Sequence, residues 1–389
     1  MSNAEHTIHS GGVRLAAMVG LSALAVHGLG LWLRPDAFFR GYLVGFNFWL
    51  GVAVGSLAIL MLHQLTGGAW GHVIGRVLRA SVGTLPLLAV LFVPVAFGLE
   101  HIYPWGRPGA MADDSLLADK ARYLNPQWFL LRTAVYFAVW LVLGFLLRRW
   151  LAQPGDLRAT HRAKVLSAPG LVVYWLAVTF ASVDWIMSLQ PYWYSTIFPV
   201  VFAVGQLLSA YVFAVLTAMR MASPAELAAA VTPRRMRDLG NLILMLVMFW
   251  AYVAFSQFML IWIGNLPDEV LWYAPRFAGG WRWVAVALLA MQFALPFVLL
   301  LLRKVKQTRQ ALAALCLLLL ATGVVNLVWQ IVPSFLPAEL GHRWPEIATS
   351  LWAVVGVGGL WLAAVLGQLV RQPLLPVDSP LLQEVPQHG

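Results

Sequence analysis

An aspartate near the end of an apolar run, in SVDWIMSLQPYW over residues 182–193, is the first place where this chain could do chemistry. Asp184 belongs to a short series of ionisable residues within or at the ends of long hydrophobic stretches: His27, His63, Glu100, His101, Arg132 and Asp184. In such surroundings a charged group is costly and is a functional candidate by default. A carboxylate beside a histidine that titrates near neutral pH is suited to handing on protons. Glu100, His101, Arg132 and Asp184 are expected at similar depth, so they could form one hydrogen-bonded cluster. The plainer alternative is ion pairing that fixes helix ends. Uncharged residues extend the series. Tyr252 and Ser256 share a helix face at i, i+4, with Gln257 beside them, and Asn326 and Gln330 repeat the spacing. Faces of this kind hold helices together in lipid at about 0.6 kcal/mol per hydrogen bond, or line a path for water and protons. His63, at the other end, is an interfacial histidine or the inner member of a relay. The proton-path candidates are thus His63, Glu100, His101, Arg132, Asp184, Tyr252, Ser256 and Gln257.

Other chemistries lack their residues. Cys316, in ALCLLLL, is the only cysteine, which excludes an internal disulfide, a CxxCH haem attachment and a cysteine-ligated Fe–S cluster. His27 and His101 share one half of the chain's depth, but no second histidine pair accompanies them for a b-type haem. No zinc or copper ligand set is present. The glycine-rich pieces GGAWG and AGGW lack the Lys-Ser/Thr that follows a phosphate-cradling loop. No catalytic or metal-binding residue is expected, and no redox cofactor bound by this chain itself.

The elements that must position these residues are long apolar helices. The 389 residues are 61% hydrophobic and 11% charged, against about 45–50% and 25% in a soluble domain. Apolar stretches of about 20 residues recur along most of the chain, which marks transmembrane helices. No ten-residue alternating pattern supports a β-barrel. Ten spans are expected, near 13–34, 39–64, 76–100, 127–151, 165–189, 195–221, 236–263, 279–302, 309–332 and 346–370. Lys and Arg gather after the even spans: Arg76 and Arg79; Arg148 to Lys164; Arg220 to Arg237; Arg303 to Arg309. Positive charge stays inside, so both termini are expected in the cytoplasm and Asp184 near the outer face. The same loops account for 26 Lys+Arg against 16 Asp+Glu, and nucleic acid is not an expected partner. The expected layout is a tail over 1–12, a transmembrane domain over 13–372 with an outer loop at 101–126, and a proline-broken tail over 373–389. The start, MSNAEHTIHSGGVRL, lacks a signal-peptide pattern, so the first span is expected to be kept.

Several ordered motifs resemble a known family. LTGGAWG (66–72) is followed by LP (85–86), FVP, YPW (103–105) and YLNPQWFLLRTAVYF (123–137). SAPGLVVYWLAVTFASVDWIMSLQPYWYSTIF (167–198), DLGNL (238–242), WAYVAFSQFMLIWIGNLPDEVLWY (250–273), GGW (279–281) and QFALPFVLLLLRKVK (292–306) come next. In this order they resemble the F-type (ActF) membrane subunits of alternative complex III, a bacterial quinol:electron-acceptor oxidoreductase. More distantly they are similar to the NrfD/polysulfide-reductase membrane subunits. The resemblance implies an all-α inner-membrane protein with two four-helix bundles and flanking helices. It implies partners: a related ten-helix membrane subunit, an Fe–S subunit and multihaem cytochrome c subunits, with a terminal oxidase beyond them and lipid around them. Haem c and Fe–S centres would sit on those partners, with quinol or menaquinol as the reductant.

Three functions follow as expectations. The leading one is a membrane subunit of a quinol-oxidising respiratory complex that anchors partners and guides protons, with the redox chemistry elsewhere. The second is a quinol-oxidising subunit, with Glu100, His101 and Asp184 around the ring. The third is a secondary transporter with helices broken at Pro199 and Pro296, which the charge-poor middle of the spans disfavours.

Overall fold

The computed structural model describes residues 3–153, 156–221, 231–335 and 344–370. Those residues form helices and connections without a strand. Among the described residues ten helical segments are long and apolar enough to cross a membrane, as in a multi-pass membrane protein. They are span 1 (Gly11–Leu33), span 2 (Pro35–Thr66), span 3 (Trp70–Phe97), span 4 (Pro126–Leu151) and span 5 (Leu157–Leu189). Span 6 (Phe198–Arg220), span 7 (Pro233–Gly264), span 8 (Trp281–Leu301), span 9 (Arg309–Phe335) and span 10 (Pro345–Leu369) follow. The helix of span 1 already begins at Asn3, ahead of its apolar segment. The expected tail over 373–389 lies outside the described residues.

Local sequence sets the helix starts. Spans 2, 4 and 7 begin with proline in the first turn, where the missing N–H costs nothing. Asn125 caps span 4 by accepting from Trp128 N at 2.9 Å, and Asp156 caps span 5 through Arg158 N at 2.8 Å. Span 3 is not one helix but three, Trp70–Val82, Leu85–Leu91 and Val93–Phe97, broken around Pro86 and Pro94. Span 8 holds a π-helical turn over Leu289–Ala294, just before Pro296. Pro199 breaks nothing, because it stands in the first turn of span 6.

Span 2 is the hub, with 94% of its most apolar window buried. It packs on spans 1, 3, 5, 6 and 10. Two small-xxx-small pairs allow this. A Cβ at Gly41 or Gly45 would fall 2.7 or 2.5 Å from the span 10 backbone at Thr349 and Ala353. A Cβ at Gly51 or Gly55 would fall 2.9 or 2.7 Å from Gln206 of span 6. Span 5 packs on span 4, while span 6 packs on spans 7 and 9. Spans 1 and 10 lie along each other, crossing where Gly20 meets Gly359.

Candidate functional site

Asn125 and Pro126 start span 4 so that Arg132 and Tyr136, one turn apart, point at the end of the span 5 helix, where Asp184 lies. The Asp184 carboxylate is fully buried. Arg132 grips it with both prongs, Nε to Oδ2 at 2.8 Å and Nη2 to Oδ1 at 2.9 Å. The Tyr136 hydroxyl donates to Oδ2 at 2.6 Å. The Arg132 guanidinium lies 3.8 Å over the Tyr123 ring, a cation–π contact that strengthens as water is excluded. Next door, Trp185 donates from Nε1 to Thr133 Oγ1 at 3.2 Å and packs among Phe46, Phe92, Phe137 and Trp140. Its carbonyl accepts from the Tyr103 hydroxyl at 3.1 Å. Burial, with Asp184 nearby, pushes the Tyr103 hydroxyl well above its ordinary range and the Tyr123 hydroxyl up to about 12. Both stay neutral at physiological pH. The site is therefore a charge pair closed by phenols and sealed by aromatic rings.

The other expected members of this cluster stand elsewhere. His101 contacts Asp36, Nδ1 to Oδ1 at 2.7 Å, and approaches Glu100, Nε2 to Oε1 at 3.5 Å. Its ring stacks on Phe39 at 5.0 Å, and its carbonyl accepts from Arg40 Nε at 3.1 Å. Asp36 and Glu100 are more than half exposed. The four-residue cluster thus resolves into two: a sealed Arg132–Asp184 pair and an open Asp36–Arg40–Glu100–His101 group. Glu100 and His101 therefore group with Asp36 rather than Asp184. Asp36 is the member that sequence reading passes over. It sits at a helix start, where an acid is ordinary.

The remaining candidates are scattered. His63 lies at the opposite end of span 2, its Nε2 3.0 Å from Gly68 O and its ring against Trp70 and His72. His27 is buried and stacks on Phe38, which touches Phe39, the ring under His101. Tyr252 and Gln257 line a cleft of about 610 Å³ between span 7 and spans 8 and 9, and Ser256 does not. Asn326 and Gln330 line both this cleft and a smaller cavity of about 30 Å³ behind it, shared with Asn47, Gln206, Ser209 and Gln292. The i, i+4 spacing of Asn326 and Gln330 was the legible part of that second site. The cleft itself has no sequence signal, because aromatic residues in a membrane helix read as lipid-facing. Among the described residues no group of three His, Cys, Asp or Glu could hold a metal.

Some of the motifs that carry the family resemblance meet in space. Tyr103 and Trp105 stack at 4.8 Å, and both rings meet Phe129 of the YLNPQWFLL piece. Trp193 stacks on Trp272 at 4.3 Å and donates to Glu269 O at 3.1 Å, which joins the SVDWIMSLQPYW and GNLPDEVLWY stretches. Compared with known proteins, the chain matches no family model and no curated entry.

Proposed function

We propose that this chain is an integral membrane subunit of a bacterial respiratory complex that oxidises quinol, seated in the inner membrane and anchoring subunits that carry the redox centres. The observation that carries the reading is the convergence just described. Pieces separated by up to about 170 residues, each part of the resemblance to the alternative complex III subunits, build one end of the molecule together. In this reading that end is the outer face and the termini are cytoplasmic, as the loop charges favour. The contact pattern supports two four-helix bundles, spans 2–5 and spans 6–9, with spans 1 and 10 flanking span 2.

Of the two roles implied, anchoring is the better supported. Asp184 is held by three donors, and the polar residues named from sequence fall in separate places. Affinity capture of the tagged chain from native membranes tests the proposal. It should bring down a related membrane subunit, an Fe–S protein and multihaem cytochrome c. Capture of the chain without haem or iron would reject it. A relay role predicts that Asp184→Asn with Glu100→Gln lowers quinol-driven proton release in the assembled complex. Unchanged proton stoichiometry and turnover would leave anchoring alone.

A further inference from the structure

The first helix of span 3 stands apart from the rest of that span. The helices from Leu85 to Ile102 already reach about 27 Å at 1.5 Å per residue, close to the roughly 30 Å of a bilayer's hydrocarbon core. Trp70–Val82 is left for the membrane surface, where it packs on spans 2, 6, 7 and 10. It carries His72, Arg76 and Arg79 at i, i+4 and i+7, a basic stripe along one face, and no acid. A basic stripe on a helix in the interface plane meets lipid headgroups.

At the far end of this helix the positive charge gathers without an answer. Gly83, the next residue, sits against spans 4 and 10: a Cβ there would fall 2.4 Å from Arg148 Nη1 and 2.1 Å from Gln368 Oε1. Arg148 gives Nη2 to Gln368 Oε1 at 2.9 Å. Arg79 lies in the field of Arg148, and His63 and His72 lie in the field of Arg79. Among the described residues no carboxylate acts on any of these four. The cations of the ion pairs that do form there are Arg40, His101 and Arg132. Unlike Arg76, which donates to Leu369 O, the Arg79 guanidinium has no hydrogen-bond acceptor among the described residues. Two half-buried guanidiniums in one another's field, with no acid beside them, call for an anion.

The surroundings select the anion. Arg148 stands in the last turn of an apolar helix, with Trp150 two residues on, at headgroup depth. Phe145, one turn before Arg148, and Val142, a further turn back, are exposed, as is Val90 two turns past the break at Gly83. These apolar side chains suit acyl chains. A phosphate offers paired oxygens to arginine forks. A zwitterionic lipid would bring its own ammonium into the same basic field, whereas a lipid of net negative charge brings none.

We propose that Arg79 and Arg148 seat the phosphate of an anionic phospholipid whose acyl chains run along Val90, Val142 and Phe145. The site is independent of the proposed respiratory role.

Native mass spectrometry of the full chain, released from micelles doped with equal phosphatidylglycerol and phosphatidylcholine, tests it. Phosphatidylglycerol should be retained roughly tenfold over phosphatidylcholine. Arg79→Gln with Arg148→Gln should remove the preference. Arg149→Gln with Arg158→Gln, an equal loss of charge at two exposed positions, should keep it. A phosphatidylglycerol with a diazirine in its acyl chain serves without any variant, should the first pair fail to fold. It should label residues 86–93 and 142–149 of the wild-type chain, and excess phosphatidylglycerol should suppress that labelling while glycerol 3-phosphate should not. Equal retention of the two lipids, the same loss of preference in both double variants, or labelling that misses those residues would overturn the proposal. Suppression by glycerol 3-phosphate would overturn it too, by making the pair a seat for soluble phosphate.

Discussion

A carboxylate wholly removed from solvent survives only when its partner is fixed as firmly as it is. Arg132 and Asp184 satisfy that condition with two near-parallel bonds, and Tyr136 takes a remaining lone pair. Removing one partner leaves the other buried and unpaired, which costs about 3–5 kcal/mol. Asp184→Leu is therefore expected to lower the unfolding midpoint in detergent sharply, and Arg132→Leu likewise. The double variant should be less damaged than the sum of the two singles, because it removes both charges together. Additive losses would mean that the pair is not coupled. The sequence shows both residues and their common depth. It does not show their position around the bundle. Depth follows from hydropathy, but lateral placement follows from which helices pack together. That is why Glu100 and His101, at the same level, join Asp36 and Arg40 instead.

Among the elements, the least regular is the connection between spans 3 and 4. It is short helices in series: Leu99–Ile102, Pro104–Gly106, Ala110–Asp113 and Ser115–Lys120. Asp114 caps the last of these, accepting from Leu116 N at 3.0 Å and Leu117 N at 3.2 Å, and also receives the Tyr192 hydroxyl. Lys120 donates to Pro191 O, so the connection is tied twice to the turn after span 5. The Tyr192 hydroxyl, then the backbone N–H groups, hold the Asp114 carboxyl below its ordinary value. A depressed carboxyl stabilises the fold above its unfolded pKa, about 3.9, and that contribution is lost as pH falls through the lower folded value. Protection of the amides of residues 110–124, taken relative to their intrinsic exchange rates at each pH, should be high at pH 7 and fall below about pH 4. Tyr192→Phe should bring much of the same loss of protection at pH 7. Protection that stays constant across that range would show that the tie bears no load. A loop over 101–126 was readable between two apolar runs; which turn it leans on was not, because the tie joins residues 78 positions apart.

For the whole molecule, the ten spans were readable from apolar run length alone, since lipid leaves a backbone few options. The departures lie at ends and breaks. Span 5 starts at Leu157 rather than near 165, because Asp156 caps a polar first turn. Span 3 breaks where two prolines remove helical donors. The arrangement around span 2 was less legible. GxxxG spacing at 41/45 and 51/55 marks close contact but does not name the partner. Gly45→Ala puts a methyl 2.5 Å from the Ala353 carbonyl carbon, against rigid backbone. It should lower the yield of monodisperse protein and free residues 345–369 to proteolysis, whereas Gly28→Ala, with open space around it, should do neither. The hub also imposes a timetable. Span 2 leaves the ribosome long before span 10, yet span 10 covers one of its two glycine grooves. Until residue 370 is synthesised, the nascent chain carries an open seam into the bilayer. A chaperone or insertase must shield that seam, or a membrane protease will read it as the mark of an unfinished chain.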